Sequence, residues 1–175
     1  MHKYEAVIGL EVHAQLKTAS KLFSSDATHF DALPNQHVSP ITLGHPGTLP
    51  KMNKEAIQLA IKMGLVCASE ISMNNYFARK NYYYADLPKG YQISQHTTPI
   101  CVGGTVHIKT SVGERDIKLT RIHLEEDAGK SIHDQHDQFT LLDFNRAGMP
   151  LIEIVSEPDL HCAEEAAAYL TPVSY

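Results

Sequence analysis

Three groups of carboxylates stand out, each in a different setting. Glu11, His13 and Gln15 alternate with Leu10, Val12, Ala14 and Leu16. Period-two alternation puts every second side chain on one face of a strand, so these three polar groups project together. Carboxylates and imidazole bind divalent ions; a solvated strand face is the plainer alternative. Glu125, Glu126 and Asp127 form the second group, within RIHLEEDAGK. Adjacent acids repel, and a positive partner such as a magnesium ion lowers their cost; a charged turn closing a strand is the alternative. The third is Glu153, set among Leu151, Ile152, Ile154 and Val155. A continuous apolar run marks a strand covered on both faces, where an ionised glutamate is costly unless paired or metal-bound. A buried salt bridge with Arg146 or Arg121 is one solution and a cation is the other. Together the three groups suggest carboxylates converging on one magnesium ion. Magnesium keeps one or two carboxylates and takes substrate phosphates as further ligands, which points to nucleotide-dependent phosphoryl transfer. There is no Walker-type loop, and Gly103-Gly104 is only a turn signal.

The elements that must position these groups read as follows. Alternation predicts one long strand over 5–16. Residues 18–50 are irregular, because Pro34, Pro40, Pro46 and Pro50 with Gly44 and Gly47 forbid a long element. A helix follows, capped by Asn53, with Ala56, Ile57, Ala60 and Ile61 as its apolar stripe and Gly64 as its end. Residues 76–95 hold aromatics among basic and amide groups, with a turn at Lys89-Gly90. Thr105–Lys109 and Arg115–Leu124 read as a hairpin around Val112-Gly113-Glu114. Ile117 and Leu119 share one phase while Ile122 and Leu124 share the other, which predicts a bulge near Thr120-Arg121. That break leaves open whether Glu125 or Glu126 faces the site. Phe139–Phe144 and Leu151–Val155 are further strands, and a last helix covers Ala163–Leu170 with Glu164 and Glu165 in its first turn. Short turns between the late strands imply antiparallel pairing. The predicted class is α+β: a largely antiparallel sheet with flanking helices.

At 175 residues, 43% hydrophobic and 20% charged, the chain fits one globular core. No window is apolar enough to span a membrane and the N-terminus has no secretory pattern, so the expected location is cytoplasmic. Cys67, Cys101 and Cys162 are far apart, odd in number and not in a Cys-x-x-Cys pair. That argues against a disulfide framework and a thiolate zinc site. A net charge of -5 argues against a long basic nucleic-acid footprint, so any RNA contact is expected to involve a small part, such as an acceptor end. The eleven histidines are scattered, and most read as surface or hydrogen-bonded core residues.

Four strings, GLEVHAQLKTASKLF, RKNYYYADLPKGYQISQ, TRIHLEEDAGK and DFNRAGMPLIEIVSEPD, resemble the B subunits of the aspartyl/glutamyl-tRNA(Asn/Gln) amidotransferase, in that family's order. The resemblance runs to about Leu170 and implies the N-terminal part (1–170) of a glutamine synthetase-like, cradle-shaped catalytic domain. It implies a carbon–nitrogen ligase with glutamine as amide donor. The enzyme uses ATP and Mg2+ to phosphorylate the carboxylate of glutamate on tRNA(Gln) or aspartate on tRNA(Asn). Ammonia then reaches the acyl phosphate through a channel from an amidase-type A subunit, and a small C subunit clasps the complex. By similarity Glu11, His13, Glu126 or Glu125, and Glu153 hold the metal. Arg79, Lys80, Lys89 and Arg146 are then candidates for phosphate or carboxylate contacts. Tyr82, Tyr84 and Tyr91 are candidates for stacking on the terminal adenosine of tRNA or on the nucleotide, with packing as the alternative for each.

Three departures from the family pattern stand out. Ser24, Asp26, Ser39 and Thr42 occupy the positions of two Cys pairs that bind zinc in many members, so no zinc is expected. His161-Cys162 is a weak cap for the last helix. The end, 171–175, does not resemble the family's continuation, and Pro172 is expected to stop the helix. The chain therefore reads as a truncated product or fragment without the helical tail region that grips tRNA. Two other functional classes compete: a non-catalytic piece that only binds the A subunit, and a tRNA-independent ligase of the glutamine synthetase kind.

Overall fold

A computed structural model describes residues 4–136 and 138–173, without the side chains of residues 172 and 173. The strands are β1 (Glu11–Gln15), β2 (Glu70–Ile71), β3 (Ala78–Asn81), β4 (Tyr91–Ser94), β5 (Cys101–Val102), β6 (Thr105–Thr110), β7 (Gly113–Glu126), β8 (Lys130–Ile132), β9 (Leu141–Asp143) and β10 (Pro150–Ser156). The helices are α1 (Lys54–Val66) and α2 (Ala163–Val173). The main sheet runs β1-β10-β7-β4-β3, with β5 and β6 also on β7, and β2 on β5. Every named pairing is antiparallel, so the α+β, antiparallel expectation is met. No helix among the described residues is long and apolar enough to cross a membrane.

Strand β10 is the central element. It lies between β1 and β7, and all seven of its residues are buried. The inward side chains of β10 and β7, Ile152, Ile154, Ile117, Leu119, Ile122 and Leu124, share one core with Leu22, Ala56, Ala60 and Tyr169. Helix α1 packs on β7 and α2 on β6.

Several boundaries differ from the sequence reading. β1 is ladder-paired only from Glu11 to Gln15, where β10 runs beside it; upstream, Ile8 makes one isolated bridge to Leu160. The β6–β7 turn closes at Thr110 and Gly113, whose φ of 142° suits glycine. Residues 76–95, read only as an aromatic segment with a turn, form the β3–β4 hairpin. Phe139–Phe144 shortens to β9, paired with β8 in a separate two-stranded sheet. Pro172 does not stop α2, which continues to Val173. Proline there removes one donor in a turn that is already the last. At the start of α2, Glu165 accepts the N–H of His161, the residue before the cap position, at 2.6 Å.

Gly64 does not end α1. The helix runs to Val66 and Cys67 caps it. Gly64 instead allows close approach, because an added Cβ would fall on Cys101 Sγ and lie 2.9 Å from Ile71 Cδ1. Gly64→Ala gains about 1 kcal/mol of helix propensity, but overpacking of a filled core costs about 1–3 kcal/mol. We expect a net loss of stability and a lower midpoint in urea unfolding.

Candidate metal centre

The register of three strands builds the site. His13 pairs with Glu153, which pairs with His123; Gln15 pairs with Leu151, which pairs with Glu125; Glu11 pairs with Val155, which pairs with Arg121. Residues directly opposite in an antiparallel ladder share a face, so these rows stack on one side of the sheet. The predicted bulge is present: Arg121 pairs with Val155 and Leu119 with Ser156, leaving Thr120 without an opposite residue. One extra residue inverts the alternation. Ile117, Leu119, Ile122 and Leu124 therefore all face the core, and Arg121, His123 and Glu125 face the site.

His13 Nε2 lies 2.8 Å from Glu125 Oε1 and 3.3 Å from Glu153 Oε2. The three residues offer ligand atoms that all lie within 4.8 Å of one another. Ligand distances of ~2–2.5 Å put donors around one ion up to about 4–5 Å apart, so the set fits a divalent cation. Both carboxylates are buried, Glu125 at 3% and Glu153 at 6% exposure, while the His13 side chain is half exposed. The hydrogen bond from His123 holds the Glu153 carboxyl down at about 2 against the upward push of burial, helped by the charges of His13 and Lys80. Glu153 is therefore a carboxylate throughout the neutral range.

His123 is the site residue that the sequence reading passed over. It is 3% exposed, and its Nε2 lies 3.3 Å from Glu153 Oε2 and 3.6 Å from Glu125 Oε2. Its Nδ1 accepts from Arg121 Nε at 3.3 Å. Burial lowers its affinity for a second proton, but the two carboxylates outweigh that and raise it. A second proton would sit on Nδ1, where the Arg121 N–H already points, so the guanidinium opposes that rise. The parity His123 shares with Glu125 was the available signal, once the bulge was accepted.

Glu126 does not join the cluster. It has the parity of Ile122 and Leu124 and lies on the opposite face, where both its oxygens are 2.6 Å from Lys89 Nζ. It also accepts the Ile93 N–H at 3.0 Å. Lys89 is thereby committed to Glu126 and not free for a phosphate. Arg146 does not pair with Glu153: it donates to the carbonyls of Ala128 (3.0 Å) and Gly129 (2.7 Å) and lies 3.4 Å from Asp127. Tyr91 is covered by cations, with Arg79 at 4.7 Å and Lys89 at 5.6 Å from its ring centre. Glu11 is not one of the three converging donors among the described residues, although it lines a cavity beside His13.

Two cavities open on this face. The larger, about 640 Å³, is lined by His13, Lys80, Tyr82, Tyr84, Glu125 and Asp127 among others. Tyr82 and Tyr84 meet edge to face at 5.5 Å. The second, about 410 Å³, includes Glu11, Lys80, Arg121, His123 and Glu153. His13, Lys80 and Glu125 line both. Lys80, a carboxylate pair and the rings of Tyr82 and Tyr84 thus line two adjoining cavities, a setting suited to an anionic, metal-bridged ligand with an aromatic base.

Away from this face, Asp26 accepts from the Ser39 N–H (3.0 Å), the Ser39 hydroxyl (2.8 Å) and the Thr42 hydroxyl, while Ser24 and Thr42 share a 3.3 Å hydrogen bond. The four side chains at the positions of the Cys pairs thus bind one another and tie the 18–50 loop. Burial pushes the Asp26 carboxyl up, but hydrogen bonds from Thr42, Ser39 and Ser24 bring it below its ordinary value.

The profile of the GatB/GatE catalytic domain matches residues 6–174. Among curated proteins, the chain is 56% identical over 172 residues to the B subunit of the aspartyl/glutamyl-tRNA(Asn/Gln) amidotransferase from Nitratidesulfovibrio vulgaris, covering 97% of this chain and 36% of that protein. It is 55% identical over 167 residues to the B subunit from Anaeromyxobacter sp., covering 95% and 35%. For Bdellovibrio bacteriovorus the figures are 51% over 166 residues, covering 95% and 34%. The chain spans about a third of the length of these relatives. With its antiparallel α+β fold and this match along almost its whole length, the chain belongs to the GatB/GatE catalytic domain family.

Proposed function

We propose that this chain is the carboxylate-activating part of the B subunit of a tRNA-dependent amidotransferase, a ligase acting in protein biosynthesis. The supporting observation is the meeting of His13, Glu125 and Glu153 beside a cavity carrying Lys80, Tyr82 and Tyr84. In this reading ATP phosphorylates the side-chain carboxylate of glutamate or aspartate on a misacylated tRNA, and ammonia displaces the phosphate. A carboxylate is a poor electrophile, and phosphorylation turns one of its oxygens into a leaving group. Catalysis of phosphoryl transfer is mainly positioning and electrostatics. His13, Glu125 and Glu153 would hold Mg2+, which offsets charge on the phosphates when bound. Lys80 supplies a cation at the junction of the two cavities, and Tyr82 and Tyr84 offer faces for adenine or the tRNA terminus. The exposed Glu11 carboxylate lines the second cavity beside His13. The proposed partners are an amidase A subunit supplying ammonia, a C subunit, and the acceptor end of tRNA, in the cytoplasm. This segment is read as the N-terminal part of the cradle domain.

The test uses the assembled enzyme carrying this segment. With [γ-32P]ATP and Mg2+, we expect phosphate release that depends on Glu-tRNA(Gln) or Asp-tRNA(Asn), and amide formation once glutamine is added. Amidation of free glutamate without tRNA would favour the glutamine synthetase-like ligase. Pull-down of the A subunit without binding of ATP or Mg2+ would favour a docking piece.

A further inference from the structure

The imidazole of His123 touches both buried carboxylates yet differs from His13 in one respect: its second nitrogen is engaged. Arg121 Nε, which always carries its hydrogen, donates to His123 Nδ1 at 3.3 Å. Nδ1 must therefore present a lone pair. In a neutral ring the proton then sits on Nε2, the nitrogen that faces Glu153 Oε2 at 3.3 Å and Glu125 Oε2 at 3.6 Å. A nitrogen that carries a proton has no lone pair for a metal. His13 Nε2, by contrast, faces Glu125 Oε1 at 2.8 Å from a half-exposed ring.

Resting on the cation site proposed above, we infer that His123 is not a metal ligand but a positioning residue. Arg121 fixes its tautomer, and its Nε2–H is directed at Glu153 Oε2 at 3.3 Å, with Glu125 Oε2 in contact beside it at 3.6 Å. At Glu125 the hydrogen bond comes from Ser94 Oγ, which donates to that Oε2 at 3.3 Å. With Oε2 of Glu125 anchored from the sheet side, Oε1 is left pointing at His13. The order Arg121, His123, carboxylate, cation site is a chain in which each link sets the orientation of the next. Outer partners of this kind change metal affinity by roughly 10–100-fold when removed. Arginine and histidine two residues apart on one strand share a face, and the bulge at Thr120 turns that face to the site.

The test is Mn2+ binding to this chain, read by electron paramagnetic resonance, with electron spin-echo modulation to count directly bound imidazole nitrogens. Wild type should bind Mn2+ with one imidazole coupling, which His13→Gln removes. His123→Gln keeps an amide N–H near the Nε2 position, so it should retain the coupling and lose little affinity. His123→Leu should retain the coupling but weaken binding roughly 10–100-fold. Circular dichroism establishes that each variant is folded; should the leucine variant fail to fold, the glutamine variant alone decides through its coupling. Loss of an imidazole coupling in His123→Gln would overturn the inference while leaving the cation site intact. Unchanged affinity in a folded His123→Leu would do the same. No Mn2+ binding by wild type would sink the cation site itself, a separate and recognisable failure.

Discussion

Under the proposed function, replacing Glu153 with Gln should abolish amidation of misacylated tRNA by the assembled enzyme while the glutaminase activity of the proposed A-subunit partner persists. The substitution keeps size and one carbonyl acceptor, so the Nε2–H of His123 retains a partner. What it removes is the charge at the centre of the donor set. Glu153 is 6% exposed, held as a carboxylate at about 2, and the one acid on β10, so no other residue of this strand can replace it. The effect should exceed the roughly 10–100-fold that loss of an outer partner costs. His13→Ala should behave similarly, with a smaller effect on stability because its side chain is half exposed. Amidation is measured with charged tRNA, cation affinity by Mn2+ titration of the chain, and stability by urea unfolding. Wild-type Mn2+ affinity in Glu153→Gln would remove the proposed metal centre.

The opposite face carries the second large effect. Glu126 and Lys89 form a bidentate pair at 2.6 Å, their side chains 5% and 8% exposed. Removing one member of a buried pair costs about 3–5 kcal/mol, because the other charge is left without compensation. Glu126→Ala should cost more than Lys89→Ala. Lys21, 1% exposed, is pushed down to about 8 by burial, and the charges of Asp26 and Glu126 are what sustain its ammonium. Loss of Glu126 therefore strands Lys89, takes one of the charges that sustain Lys21 while Asp26 remains, and leaves the Ile93 N–H without its acceptor. Lys89→Met with Glu126→Leu should recover part of the loss, since an apolar pair needs no charge compensation. Urea unfolding measures these differences, and Mn2+ affinity should not change in any variant that folds. A fall in Mn2+ affinity with intact stability would move Glu126 back into the site.

Alternation alone put Glu11, His13 and Gln15 on one face, because a strand's period of two needs no partner to be read. The apolar run around Glu153 likewise announced a buried strand holding one costly charge. The phase break between Leu119 and Ile122 announced the bulge, and the structure places it at Thr120. Which acid after the bulge faces His13 and Glu153 depended on how β7 sits against β10. Pairing across strands distant in sequence brings His13, Glu125 and Glu153 within 4.8 Å, and no local pattern encodes that register. Strands of two or three residues, β2, β5, β8 and β9, are too short to show any period, and β3 is exposed at every position, so none of them alternates visibly. The types of the candidate ligand groups, and the face each local segment offers, were thus written in the chain. Their meeting, the choice of Glu125 over Glu126, and the locking of His123 by Arg121 were decided only when the ladders closed, because interatomic distance is a property of register and not of spacing along the chain.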